Sequence, residues 1–220
     1  MRSHLFALAV IPAIFLSGCN DPKEANDANF TKAINEHLAK KCIIVGDDMG
    51  FDGDFPATID LEVVPPDTKE EFRRDVDRRN QQAVQPFDVL VNAGLLKRED
   101  TTKEVETWGH KETQAQRVYS LTDKGKAALV KHRAFCAGHQ QVASIKHFSE
   151  PGNVPFGGGK MSEAVFTTKA VDVPDWAKDQ AVQDAWPSLK RDLDPDHEQH
   201  ADLIQTNKGW IEAHDFDSNR

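Results

Sequence analysis

The sequence predicts an α+β protein in two halves. Helices and a pair of strands fill residues 30–135, and a small antiparallel sheet with one covering helix fills 136–220. Three observations predict this. Apolar residues recur at helical spacing over 30–42 and again over 87–95. After residue 136 the pattern changes to short strand-like runs. Stretches rich in Gly, Pro and Asp mark the boundaries, and no internal repeat is present.

Residues 1–18, MRSHLFALAVIPAIFLSG, carry Arg2 as their only formal charge ahead of an apolar run from Leu5 to Leu16. A transmembrane helix needs about 20 apolar residues, so this run is too short to span a bilayer. A charged start, an apolar middle and small residues at the end predict a secretory signal peptide. Its last residues, Leu16-Ser17-Gly18-Cys19, resemble the lipobox of bacterial lipoproteins, in which a leucine and two small residues precede the cysteine that becomes the acylated N-terminus. The resemblance implies cleavage before Cys19, lipidation of Cys19, and membrane lipid as a partner, since more than one acyl chain gives stable anchoring. Asn20 stands where an aspartate would imply retention at the inner membrane, so the resemblance implies the outer membrane, facing the periplasm. Residues 19–29 are expected to be the lipidated tether. DPKEANDAN is polar, and fully extended it reaches roughly 30 Å.

With Cys19 assigned to lipid, two of the three cysteines remain, Cys42 and Cys136. An oxidising envelope favours a disulfide between them; two free buried thiols are the alternative. The pair lacks the CxxC spacing of redox-active cysteines. The chain holds 27 Lys+Arg against 36 Asp+Glu, a net charge of −9. An acidic surface repels phosphate backbones and anionic lipid, so no nucleic acid is expected as a partner.

In the first half, Phe30, Ala33, Ile34, His37, Leu38 and Cys42 share one helix face. The Gly-, Asp- and Pro-rich stretch that follows reads as a long loop with one short strand around Leu61–Val64. Thr68, ahead of Lys69, Glu70 and Glu71, caps a second helix, which Pro86 interrupts or restarts and Gly94 stops. The segments FDVLVNAGLLKRED and RVYSLTDKGKAALVKHR resemble the end of a winged-helix domain. Leu90, Val91, Ala93, Gly94, Leu95 and Leu96 match the end of its helix, and Tyr119, Leu121, Thr122 and Gly125 match the entry to the helix after its wing. The resemblance implies a winged-helix-like domain over 30–135, two wing strands, and a helix over 124–132 that Thr122 caps. DNA binding does not follow from it. PFDVLVNAG offers no basic residue, and Glu70, Glu71, Asp75 and Asp77 offset Arg73, Arg74, Arg78 and Arg79. A protein-contact scaffold is expected instead, with Trp108 at the wing tip as the partner-binding candidate.

In the second half, QQVASIKHF, SEAVFTTKAVDV, ADLIQT and GWIEA read as strands. Trp176, Ala177, Val182, Ala185, Trp186 and Leu189 mark the covering helix, which Pro187 kinks or ends. Trp176, Trp186 and Trp210 are expected in the core.

The remaining motifs fail on spacing. DDMGFDGDF puts Gly50 and Ile59 where an EF-hand calcium loop needs ligands. FGGGKMS has Val154 and Met161 where a phosphate loop needs Gly and Ser or Thr, and DHEQH sets His197 and His200 too close for a zinc HExxH helix. His132, His139 and His147 form a metal site only where the fold gathers them, so no metal and no cofactor is expected. The expectation is a non-enzymatic envelope lipoprotein that binds an envelope protein. The alternative is a periplasmic small-ligand- or metal-binding protein, or a hydrolase, with a site of scattered Asp and His.

Overall fold

The computed structural model describes residues 21–217, except 52, 65–66, 108–109 and 155–158. The signal peptide, Cys19 and Trp108 lie outside the described residues.

In chain order the elements are α1 (Asp27–Leu38), β1 (Ile44–Val45), β2 (Ala57–Asp60), α2 (Glu70–Asn92), β3 (Leu96–Thr107), β4 (His110–Leu121), α3 (Asp123–Ala128), β5 (Leu129–Lys131), β6 (Ala134–Cys136), β7 (His139–Phe148), β8 (Gly152–Asn153) and β9 (Lys160–Val171). A 3-10 turn (Asp175–Lys178), α4 (Gln180–Ala185), α5 (Pro187–Asp192), β10 (Glu198–Thr206), β11 (Gly209–Glu212) and α6 (Ala213–Asp217) complete the α+β fold. All strand pairs are antiparallel. They form a large sheet β11-β10-β9-β7 with β8 beside β9, a hairpin sheet β2-β4-β3, and a small sheet β1-β6-β5. Among the described residues no helix is long and apolar enough to cross a membrane.

Helix α1 starts before its first apolar residue because the Asn26 side chain accepts from the Asn29 N–H at 2.9 Å. Its face of Phe30, Ala33, Ile34 and Leu38 packs on the large sheet against Val142, Phe166, Leu203 and Trp210. Phe30 meets Phe148 and Trp210 edge-on, at centroid distances of 4.8 and 4.9 Å. Part of the expected tether also lies on this sheet. The Trp210 indole N–H donates to the carbonyls of Lys23 and Glu24 at 3.2 and 3.1 Å, and the Gln205 amide donates to Lys23 at 2.7 Å.

The cover of the large sheet is therefore α1, from the first half of the sequence. The segment expected to cover it, Trp176–Leu189, packs on the other core instead, beside Val84, Phe87 and Leu90 of α2, Leu95, Leu96, Tyr119 and Phe135. An amphipathic face states that a helix is buried, not against what. What fixes the segment here is the Trp186 indole N–H, which donates to Asp48 of the long loop at 2.9 Å. Each core is thus completed by the other half of the chain. Where the halves cross, the disulfide Cys42–Cys136 links residues 94 apart in sequence, with Cα atoms 5.2 Å apart.

Pro86 neither interrupts nor restarts α2, which runs unbroken over 23 residues. The carbonyl deprived of its partner belongs to Gln82, which is exposed, so water can satisfy it. Gly94 ends the helix as expected, with φ +77° and the Leu95 N–H donating to the Leu90 carbonyl at 2.9 Å. The helix expected over 124–132 is shorter. It stops at Ala128, and Leu129–Lys131 turns back to pair with β6. A strand ladder with a partner already fixed by Cys136 prevails over the helical pattern.

Candidate functional site

The two sequence stretches on either side of the hairpin meet at its base. The Thr122 hydroxyl donates to the Gly94 carbonyl at 2.7 Å and accepts from the Gly125 N–H at 3.0 Å, and the Thr122 N–H donates to Leu95 at 3.0 Å. A Cβ on Gly125 would sit 2.0 Å from the Leu95 carbonyl oxygen, so this contact requires glycine. Tyr119 is fully buried, stacks on Phe87 at 4.8 Å, and donates its hydroxyl to Asp88 of α2 at 2.9 Å. Asp88 also accepts from Arg117 at 3.0 Å, and Arg98 lies 3.4 Å away. Burial first, and the Asp88 carboxylate second, push the Tyr119 phenol up to about 12. It stays a neutral donor that locks the hairpin base onto the helix.

Beyond this base the hairpin projects. β2 pairs with β4 only over 116–119, whereas β3 and β4 pair with each other out to Thr107 and His110. Residues 101–106 and 111–115 are exposed or half-buried and contribute nothing to either core. This arm leads to Trp108.

A second cluster of charge sits where α1 meets α6. His37 is buried, with Nδ1 3.1 Å from Glu212 Oε2 and 3.2 Å from Asp215 Oδ1, neither oxygen being aligned for a hydrogen bond. Glu212, also buried, takes His214 Nδ1 at 2.8 Å, and Lys40 reaches Asp215 at 2.9 Å. For Asp215, burial raises the pKa, but the contacts with Lys40 and His37 together outweigh it and hold the carboxyl below its usual range. Through His37 and Lys40 the cluster links α1 to Glu212 of β11 and Asp215 of α6.

Among the described residues, the acidic loop 47–55 does not gather its carboxylates. Asp48 binds Trp186 at 2.9 Å, Asp54 contacts His132 at 2.6 Å, and Asp52 lies outside the described residues. Arg133 donates to the Asp47 carbonyl at 3.0 Å and to the Phe51 carbonyl, with its guanidinium 5.7 Å from the Phe51 ring. A cavity of about 380 Å³ between Asp47, Gly53, Lys131, His132, Arg133 and Ala134 lies alongside. His132 and His147 are not brought to a common site with His139, but His139 is brought to the disulfide.

No protein-family model, no characterised protein and no solved structure matches this chain. Sequence reasoning did not find Asp88, Tyr119 and Arg117 as a unit. The groups come from a helix and a strand about thirty residues apart, and only Tyr119 carried a local signal.

Proposed function

We propose that the protein is an outer-membrane lipoprotein, anchored through acylated Cys19 and facing the periplasm, that binds an envelope protein through the β3–β4 arm and Trp108 without catalysing a reaction. The observation that carries this reading is the arm itself. Two long paired strands extend past both cores, and an isolated two-stranded ribbon is marginal in water. A bound partner would give such a projection a use.

The finer reading of the first half is winged-helix-like. It is supported by α2 ending at Gly94, by two paired strands after it, and by entry into α3 through Tyr119, Leu121, Thr122 and Gly125. Protein rather than DNA is the partner favoured by the charge pairing. Arg78 lies 3.0 Å from Asp75, Arg79 grips Glu62 at 2.8 and 2.6 Å, and Arg98 and Arg117 are held by Asp88 and Asp100.

Two experiments test the halves of the proposal. Palmitate labelling of cells is expected to mark the wild type and not Cys19→Ser; label persisting in the variant removes the anchor. For the arm, residues 102–115 are replaced by Asn-Gly, joining Thr101 to Gln116, which face each other in the ladder. Affinity capture from solubilised envelopes is expected to lose one specific protein while the cooperative thermal transition remains. Identical captures by both proteins would place the binding face elsewhere.

A further inference from the structure

We propose that Cys42, Cys136 and His139 form, once the disulfide is reduced, a binding site for a thiophilic d10 cation of the Zn²⁺ class. The two sulfurs and a ring nitrogen of His139 all lie within 4.8 Å of one another, and all three residues are half-buried, within reach of solvent. Tetrahedral Zn²⁺ with Zn–S near 2.3 Å needs its sulfurs about 3.8 Å apart. A modest parting of the cysteines on reduction meets that requirement.

The backbone holds the three residues together independently of the S–S bond. Ile44 pairs with Cys136 and Val45 with Phe135, the Ile43 N–H donates to the Gly138 carbonyl at 2.9 Å, and the Ala137 N–H donates to Ile43 at 2.8 Å. Gly138 turns the chain between Cys136 and His139 at φ +118°, where a Cβ would lie 2.7 Å from the Val171 carbonyl oxygen. Only glycine brings the histidine round at this point. His139 Nδ1 lies 2.8 Å from the Lys41 carbonyl oxygen. A carbonyl can only accept, so Nδ1 carries the proton and Nε2 keeps the lone pair that a metal takes. This is the outer hydrogen bond that fixes the tautomer of a ligating histidine.

Two thiolates and one imidazole suit Zn²⁺ and leave a fourth position for water. Beside His139 a groove of about 620 Å³, bordered by Lys32, Asn35, Glu36, Gln141 and Asp172, gives that water a way in. Reduction and binding balance as follows. A dithiol donor passes two electrons and two protons to the disulfide and leaves as its own disulfide; the cation then displaces the two thiol protons. In the reverse direction a small-molecule disulfide accepts two electrons from the two thiolates and, with two protons from water, leaves as its thiols. The sulfurs join and the cation is released, so thiol redox state gates the site.

The test uses the full chain carrying Cys19→Ser, so that only these two sulfurs report, reduced with a phosphine under anaerobic conditions and titrated with Co²⁺. The expected result is a thiolate-to-cobalt band in the near ultraviolet that saturates at one ion per chain, is displaced by Zn²⁺, and is absent from the oxidised protein. His139→Ala is expected to weaken Co²⁺ binding by roughly tenfold or more, and Cys136→Ser to abolish the two-thiolate band. Near-ultraviolet circular dichroism monitors the fold. A folded, reduced chain without the band overturns the proposal, as does His139→Ala binding as tightly as its parent. Unfolding on reduction that Zn²⁺ does not reverse also overturns it.

Discussion

The base and the outer arm of the β3–β4 hairpin are the same two strands held by different physics. At the base, Leu96 and Tyr119 are buried, Phe87 stacks on the phenol, and Asp88 gathers Tyr119 and Arg117. The inner part of the arm is still tied to the segment beside it, with the Gln114 amide donating to the Leu61 carbonyl at 3.2 Å and Lys103 paired with Asp60. Farther out the side-chain contact is the exposed ion pair of Lys111 with Glu104, 4.0 Å apart and about 80% exposed. Pairs of that kind contribute about 0–1 kcal/mol, and the arm stands on its ladder and on the strand preference of its threonines. The difference teaches that the core determines where the hairpin starts but not how far it extends. On the proposed reading, that extra length serves a partner.

The sharpest way to break this comparison is to truncate side chains along one strand. Tyr119→Ala in β4 is expected to lose about 3–5 kcal/mol, as other buried aromatic truncations do. Thr113→Ala, in the same strand but in the arm, is expected to stay within about 0.5 kcal/mol. Denaturant melts of both decide it, and a large loss at Thr113 would mean that the arm is part of the folding unit.

A somewhat smaller effect is expected at the crossing of the two halves. Cys42→Ser with Cys136→Ser should lower stability by about 2–5 kcal/mol while partner capture through the arm persists, read by calorimetry beside affinity capture. Loss of capture from a folded variant would tie the arm to the crossing.

Smaller again is the base hydroxyl. Tyr119→Phe is expected to cost about 1 kcal/mol at neutral pH. The phenol's folded pKa of about 12 exceeds the ordinary value of 10.0, so its contribution is fully present below pH 10 and fades as the pH rises toward 12. The stability gap between wild type and Tyr119→Phe, followed by urea melts from pH 8 to 12, should therefore close. A constant gap would show that the phenol does not titrate with folding. The smallest effect belongs to the arm: Glu104→Ala with Lys111→Ala should move the thermal midpoint by no more than about 0.5 kcal/mol allows.

Parts of this fold were legible in residues with local chemistry. Gly94 as a helix stop, Thr122 as a cap, the Cys42–Cys136 pairing and the strand-like runs after residue 136 each carry their cause within a few positions. What could not be read was the choice of partner. The α1 face and the Trp176–Leu189 face are both apolar stripes, and nothing in either says which sheet or helix it meets, so the exchange of covers between the two cores was invisible. The same holds for Asp88 with Tyr119 and for His37 with Glu212 and Asp215, which acquire meaning only when distant elements touch. Pro86 misled for a different reason. Its cost depends on whether the carbonyl it deprives is exposed, and that depends on the helix's environment.

The most direct test of the central claim is photocrosslinking in intact cells, with a photoreactive residue at Trp108 and, as control, at exposed Arg74 on α2. The predicted result is one discrete envelope protein captured from position 108, absent from position 74, and lost when Cys19→Ser releases the anchor. Equal capture from both positions, or none from a folded, anchored protein at position 108, would contradict the arm as the binding face.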